Sequence, residues 1–408
     1  MFIHRTIQAY IKKYLYNQTD KKYAIIVYGP RQVGKTTLLE HLISLQPPRA
    51  LEFQDKTPHQ FQNGSAFTLK AREAAYFNAD HLDVRVQFAY ENITQLESTL
   101  KGLKLLLLDE AQRIENIGLV LKILVDHHPD LQIIATGSSS FELSNKINEP
   151  LTGRKRVFHL YPFSFEELYG KLNFIEQQRK LPSLLRFGSY PDIIEKNENE
   201  AIARLRELTD SYLFKDVFSF QRLKKPELLT KLLQLLAFQV GSEVTFHELA
   251  QQLGVDQLTV QNYIQLLEEA FVIFRLGAFK RNLRNEITKS RKIYFWDLGI
   301  RNTLINNFNP LDLRDDVRKL WENFCIIERL KHLQNHQKFV NCYFWRTYQD
   351  KEIDYIEEAN GELHAYEFTW SPKKQKKPPK DFMEEYKPKR FKIINRENFL
   401  EFLIENER

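Results

Sequence analysis

Residues Ala24–Glu40 read AIIVYGPRQVGKTTLLE, and the fold of the chain is decided there. The apolar run Ala24–Tyr28 has the composition of a buried parallel strand. It passes directly into Gly29-Pro30-Arg31-Gln32-Val33-Gly34-Lys35-Thr36, which satisfies G-x-x-x-x-G-K-[ST] without a mismatch. Thr37-Leu38-Leu39-Glu40 then opens a helix. The residue types answer to the chemistry. Glycine lets backbone N–H groups close around phosphate oxygens in conformations that side chains obstruct. A helix start adds the positive end of its dipole. Lys35 reaches the outer phosphates, and the Thr36 hydroxyl joins a Mg²⁺ shell. Gly29, Pro30, Arg31, Gln32, Val33, Gly34, Lys35, Thr36 and Thr37 are therefore the expected nucleotide-binding residues. A glycine-rich turn with a chance lysine is the competing reading, and the flanking strand and helix argue against it.

Further along, Leu103–Gln112 reads LKLLLLDEAQ, a central buried strand with Asp109 and Glu110 at its carboxyl end. Ligands of open α/β sheets bind at that end. Asp109 is expected to hold Mg²⁺ through water, with Glu110 as general base for the attacking water. Acidic residues there also suit a helix cap, which is the rival reading. Leu119–Val125 continues as a helix, Pro129 breaks the chain, and Leu131–Ala135 is another buried strand. Thr136-Gly137-Ser138-Ser139-Ser140 follows, and Ser138, with Thr136 second, is the expected γ-phosphate sensor. A serine-rich cap competes with that role. Arg154, in Leu151-Thr-Gly-Arg154-Lys155-Arg156, is a candidate finger for transition-state charge, in its own subunit or a neighbour's. A solvated basic turn is the alternative. The apolar run Val157–Leu160 then returns the chain to a strand. Ahead of the phosphate loop, Ile3, Ile7, Tyr10, Ile11, Tyr14 and Leu15 repeat at helical spacing. Between loop and acidic strand, Ala50–Phe53 reads as a short strand and Asp80–Leu100 as mostly helix. The sum is a doubly wound α/β P-loop domain over residues 1–170.

Composition bounds the rest. The chain has 408 residues, enough for two to four domains, with 43% hydrophobic and 27% charged residues, an ordinary globular balance. Cys325 and Cys342 are its only cysteines, which disfavours a disulfide framework and suits a reducing cytoplasm. The opening MFIHRTIQAYIKKYLYN lacks the apolar core of a signal peptide, and no run is long enough to span a bilayer. A net charge of +6 is a mild basic excess and decides little about nucleic acid.

Several of these motifs resemble a known family. Tyr28-Gly-Pro-Arg-Gln-Val-Gly-Lys-Thr36, Leu108-Asp-Glu-Ala-Gln112, Thr136-Gly-Ser-Ser, Gly153-Arg154 and Tyr161-Pro-Phe-Ser-Phe-Glu-Glu-Leu168 look like prokaryotic ATPases of the AAA-related superfamily. In those proteins the ATPase is fused to a C-terminal domain of uncharacterised role. The resemblance implies ATP, rather than GTP, as the nucleotide. Leu184-Leu-Arg-Phe-Gly-Ser-Tyr-Pro191 and Ile293–Asn302 match the same family.

Residues 171–232 read as a helical lid or linker. Residues 233–302 read as a winged helix-turn-helix: a helix over Thr245–Leu253, a turn at Gly254-Val-Asp256, a second helix over Gln257–Ala270 and a strand over Phe271–Leu276. The second helix offers Gln257, Thr259, Gln261 and Asn262 to base edges, although it carries no cations. Lys280, Arg281, Arg284, Lys289, Arg291 and Lys292 make a cationic stretch suited to phosphates, or a solvated loop. Residues 303–408 resemble restriction-endonuclease-like nucleases. A helical Glu322, Asp354 on one strand and Glu367 on its hairpin partner across Asn360-Gly361 would be the metal carboxylates. The lysine such nucleases carry two residues after the last carboxylate is replaced by Thr369, so a degenerate fold kept for binding competes with an active one. Lys373–Lys380, KKQKKPPK, is the most concentrated positive segment.

The expected protein is a cytoplasmic, Mg²⁺-dependent ATPase whose nucleotide state controls C-terminal modules that contact DNA. Two alternatives stand beside it: a slow switch that recruits protein partners without touching DNA, and an ATP-licensed metal nuclease. Homo-oligomerisation stays open, and no membrane contact is expected.

Overall fold

The computed structural model describes residues 2–16, 23–44, 73–138, 147, 149–219, 226–279, 291–347, 351–373 and 377–404. It divides into two compact units, Met1–Leu160 and Tyr161–Arg408.

The first unit is built on five strands: β1 (Ala24–Tyr28), β2 (Ala74–Asn78), β3 (Leu105–Asp109), β4 (Gln132–Gly137) and β5 (Lys155–His159). They pair in parallel in the order β2-β3-β4-β1-β5. β1, β3 and β4 are buried along their whole length, as continuous apolar runs require. β4 stands between β1 and β3, so the stretch after it leaves the sheet between the phosphate loop and the acidic pair. The leading helix, Ile7–Tyr16, buries Ile7 and Ile11 and packs on the helix Lys35–Ser44. The strand expected at Ala50–Phe53 lies outside the described residues. The outer neighbour of β3 is β2, a strand the sequence reading did not anticipate.

The second unit carries seven strands: β6 (Glu243–Val244), β7 (Ile273–Ala278), β8 (Arg291–Phe295), β9 (Asn341–Arg346), β10 (Glu352–Ala359), β11 (Glu362–Phe368) and β12 (Arg390–Ile394). They form one sheet in the order β12-β11-β10-β9-β7-β8-β6. The expected helix pair is present as Phe246–Leu253 and Gln257–Glu269. Its boundaries follow local chemistry. Thr245 and Asp256 accept from the N–H groups of Glu248 and Thr259, and Gly254 at φ +66 closes the first helix. Asn360 and Gly361, both at positive φ, turn β10 into β11. Residues 233–302 and 303–408, read as separate modules, share this sheet, because β7 pairs in parallel with β9 at Gly277–Tyr343 and Ala278–Phe344. The helix Val317–Asn335 is buried on nearly every turn. Asn323 both accepts from and donates to the backbone of Phe295, locking that helix to β8.

Candidate nucleotide site

The phosphate loop leaves β1 at Tyr28 and ends in the helix Lys35–Ser44. Its shape is set by three positions. At Gly29 a Cβ would stand 2.1 Å from the Leu160 carbonyl oxygen, so only glycine fits. Gln32 and Gly34 take positive φ, +61° and +90°, the left-handed backbone that phosphate-cradling loops use. Lys35 Nζ donates to the carbonyls of Gly29 (2.9 Å) and Pro30 (3.0 Å), so the ammonium spans the mouth of its own loop. Arg5, buried beneath the loop, donates to the Val33 carbonyl at 2.6 Å and holds it from the amino-terminal side.

The acidic strand end meets this loop. Thr36 Oγ1 donates to Asp109 Oδ2 at 2.6 Å, which puts the hydroxyl and carboxylate expected to share Mg²⁺ on one point. Tyr76, from β2, donates to the same oxygen at 3.0 Å. Burial, and then the Asp109 charge, push the Tyr76 phenol well above its ordinary range, so it stays a donor. Thr136 Oγ1 hydrogen-bonds Asp109 Oδ1 and accepts from the Glu110 N–H at 3.2 Å. Glu110 itself sits in the left-handed region, φ +51°, an unfavourable conformation for a side-chain-bearing residue. The bend turns its carboxylate toward Gln112, whose Nε2 donates to Glu110 Oε2 (2.5 Å) and to Ser138 Oγ (2.9 Å). A chain therefore runs Glu110–Gln112–Ser138, and a second runs Glu110–Thr136–Asp109–Thr36. A cradle of N–H groups, a lysine at its mouth and a paired hydroxyl and carboxylate fit a Mg²⁺-triphosphate. Such a group would supply the metal Lewis acid and the phosphoryl to be displaced.

Arg154 is not part of this arrangement. β5 runs parallel to β1 with Lys155 level with Ala24. Arg154 therefore lies at the edge where β1 begins, about 13 Å along the strands from where the loop leaves. Its guanidinium pairs with Asp126 at 2.6 Å. A finger acting in its own chain is thus corrected: the side chain is on the wrong edge of the sheet. Arg5, Tyr76 and Gln112 are the residues sequence reasoning missed. Gln112 lay inside the quoted acidic motif, whereas Tyr76 and Arg5 carry no signal without the strand order.

In the second unit, Glu322 and Asp354, two of the carboxylates named from sequence, gather around the Lys292 ammonium and not around a shared metal position. Among the described residues, the set of His, Cys, Asp and Glu whose ligand atoms come within 4.8 Å of one another is Glu166, His332 and His336. Glu322 instead accepts from Lys292 Nζ (3.0 Å) and the Tyr294 hydroxyl (2.7 Å). Glu352 pairs with the same ammonium. Asp354 Oδ2 accepts from the Phe368 N–H at 2.8 Å, and Glu367 is 1% exposed. Burial alone would lower the Lys292 pKa, but Glu322, Asp354 and Glu352 overcome it and hold the ammonium protonated. Lys292 was read as part of a phosphate-facing basic stretch; it is an internal cation, 3% exposed. Lys280, Arg281, Arg284, Lys289, Lys374 and Lys376 lie outside the described residues. Lys373 and Lys377 are exposed, as are Gln257, Gln261 and Asn262 on the second helix of the pair. Thr259 is half-buried, its hydroxyl donating to Asp256 at 2.6 Å.

Residues 21–169 match the AAA domain family. In sequence and in the geometry just described, this part of the chain is similar to AAA-type P-loop ATPase domains. The remainder matches two families whose roles are open, "Domain of unknown function (DUF8612)" over 178–311 and "Domain of unknown function (DUF4143)" over 318–403. Two relatives are uncharacterized proteins. One, MJ1637 of Methanocaldococcus jannaschii, is 26% identical over 343 residues, 74% of this chain and 66% of that protein. The other, Rv2008c of Mycobacterium tuberculosis, is 25% identical over 347 residues, 84% of this chain and 69% of that protein. The chain thus spans about two thirds of the length of these relatives. Among solved structures it is similar to the Walker-type ATPase PABY2304 of Pyrococcus abyssi, at TM-score 0.46 and 14% identity over 75% of this chain and 96% of that one. It is also similar to the Aeropyrum pernix ORC1 protein in complex with DNA, at TM-score 0.32 and 14% identity over 75% and 93%. Among the described residues no helix is long and apolar enough to cross a membrane.

Proposed function

We propose that the chain is a Mg²⁺-dependent ATP hydrolase whose nucleotide state governs what its second unit contacts, and that DNA is that contact. One observation carries the hydrolase reading: Thr36 and Asp109 meet at 2.6 Å while Glu110, next in sequence, is held through Gln112 to Ser138. Metal, water and γ-phosphate sensor would then be managed by one connected network. Lys35 reaches outer phosphates, Glu110 polarises the water, and Ser138 reports whether the γ-phosphate is present. ATP is the nucleotide that an AAA-type domain takes. Arg154 is left to a neighbouring copy's site.

For the second unit, residues 171–232 act as the lid or linker. Residues 233–302 are a winged helix, a reading supported by the helix pair, the antiparallel strands β6, β7 and β8, and the exposed amides Gln257, Gln261 and Asn262. Residues 303–408 are a nuclease-like fold kept for binding, because Lys292 stands where the carboxylates would need a metal.

The test is phosphate release together with DNA binding by fluorescence anisotropy at low salt, with and without a nonhydrolysable ATP analogue. Salt-sensitive binding that changes with the analogue is expected. Hydrolysis without DNA binding in any nucleotide state would leave a switch that recruits proteins. Plasmid cleavage with Mg²⁺ or Mn²⁺, lost in Asp354→Ala, would restore the nuclease.

A further inference from the structure

Outside the nucleotide site, one cluster in the second unit has the chemistry of a metal centre. His332 and its helix's C-cap, His336, are one turn apart, so their rings share a face. The ring centroids are 4.4 Å apart. Glu166, in the first turn of the helix Phe165–Tyr169, lies against both. Its Oε2 is 2.8 Å from His332 Nδ1, and its two oxygens are 3.0 and 3.1 Å from His336 Nε2. That short helix is itself fixed. Ser164 and Glu167 form a reciprocal cap, and the Phe165 N–H donates to Glu328 at 2.5 Å. Glu166 is therefore delivered to the histidines by a rigid turn.

We propose that Glu166, His332 and His336 bind one borderline divalent cation, with Zn²⁺ the best match. Two imidazole nitrogens and a carboxylate oxygen are a zinc donor set that leaves one position open. Tetrahedral bonds of ~2.0–2.1 Å separate ligand atoms by about 3.3 Å. The contacts of 2.8–3.1 Å fall a few tenths short of that, within reach of small side-chain rotations. The His332 side chain is 3% exposed, so an ion held at its Nδ1 lies largely out of water. Glu166 and His336 are 23% and 25% exposed, which gives the ion a route in and a water for the open position. The bound ion ties together segments 170 residues apart in sequence. It is distinct from nucleotide Mg²⁺, which prefers oxygen ligands.

The full chain, stripped with a chelator and free of nucleotide, is equilibrated with Zn²⁺, and its metal content is measured. Co²⁺ in place of Zn²⁺ reads the coordination by its visible absorption. One equivalent is expected in the parent protein and in Asp109→Asn. Retention about tenfold weaker or more is expected in His336→Ala and in Glu166→Gln. Circular dichroism checks that both variants fold, and either alone suffices. Zn²⁺ should also raise the thermal midpoint of the parent and not of the variants. Less than half an equivalent in the parent, or equal retention in the parent and a folded variant, overturns the proposal.

Discussion

Thr36 Oγ1 donates a 2.6 Å hydrogen bond to Asp109 Oδ2 across 73 residues of sequence. It joins the helix after the phosphate loop to the end of β3, although β4 separates β1 from β3 in the sheet. A cation inserted there would exchange this hydrogen bond for a bond to the Thr36 oxygen and a water-mediated contact to Asp109. Thr36→Ala and Asp109→Asn should therefore erase most of the Mg²⁺-dependence of ATP binding while leaving Mg²⁺-free binding nearly intact. Titration calorimetry with and without Mg²⁺ measures this, and an unchanged Mg²⁺ effect would remove Asp109 from the metal site.

Glu110 and Gln112 should separate binding from turnover. Glu110→Gln keeps the shape of the site but not the base, so ATP affinity should persist while phosphate release falls about 10²–10⁴-fold. Gln112→Leu cuts the link between Glu110 and Ser138. Its turnover should fall less, about 10–100-fold, with little change in affinity. A Gln112 variant with parental turnover would show that the bridge is only structural.

Arg154→Ala should leave single-turnover hydrolysis unchanged at concentrations where the chain is monomeric. The reason is its place at the far edge of the sheet, paired with Asp126. A defect confined to high protein concentration would assign the guanidinium to a neighbour's phosphates. A defect in dilute monomer would contradict the geometry described.

Lys292→Met should be among the most destabilising substitutions in the second unit. Glu322 and Glu352 would lose a shared buried counter-charge, a change that costs about 3–5 kcal/mol in comparable pairs. Denaturant unfolding measures it. If the variant is as stable as the parent, the fold does not depend on this lysine as a counter-charge.

Asp316 gives a pH signature. Burial favours its neutral form, but hydrogen bonds from Arg314 and Arg301 prevail and lower its pKa from 3.8 to about 2. A depressed folded-state pKa stabilises the fold above the unfolded-state value and loses that contribution as pH falls through the folded one. The parent should therefore lose stability between about pH 4 and pH 2 more steeply than Asp316→Asn, whose deficit at neutral pH disappears at the acid end. Parallel slopes for the two proteins would exclude Asp316 as a source.

The parts of the fold legible in sequence are those whose causes are local. β1 and β3 announce themselves as apolar runs too short for helices and buried on both sides. The helix pair at Phe246–Leu253 and Gln257–Glu269 is marked by Thr245, Gly254 and Asp256, each acting within four residues of itself. β2 is harder, because its apolar run Ala74-Ala75-Tyr76-Phe77 is only four residues long and opens on two alanines, which suit a helix better than a strand. The pairing of β7 with β9 links stretches some 65 residues apart, and no local pattern encodes it.

The same division holds for chemistry. Sequence alone determined the phosphate cradle and the acidic pair, since a cradle is a property of consecutive backbone: glycine at positive φ, then a lysine, then a helix start. Tertiary structure alone decided which side chains meet around it, that Tyr76 and Thr136 share Asp109, that Arg154 stands at the far edge, and that Lys292 sits among acids from β10 and the central helix. Those outcomes depend on strand order and register, which are fixed by how buried surfaces pair across the sheet and not by any residue's neighbours in the chain.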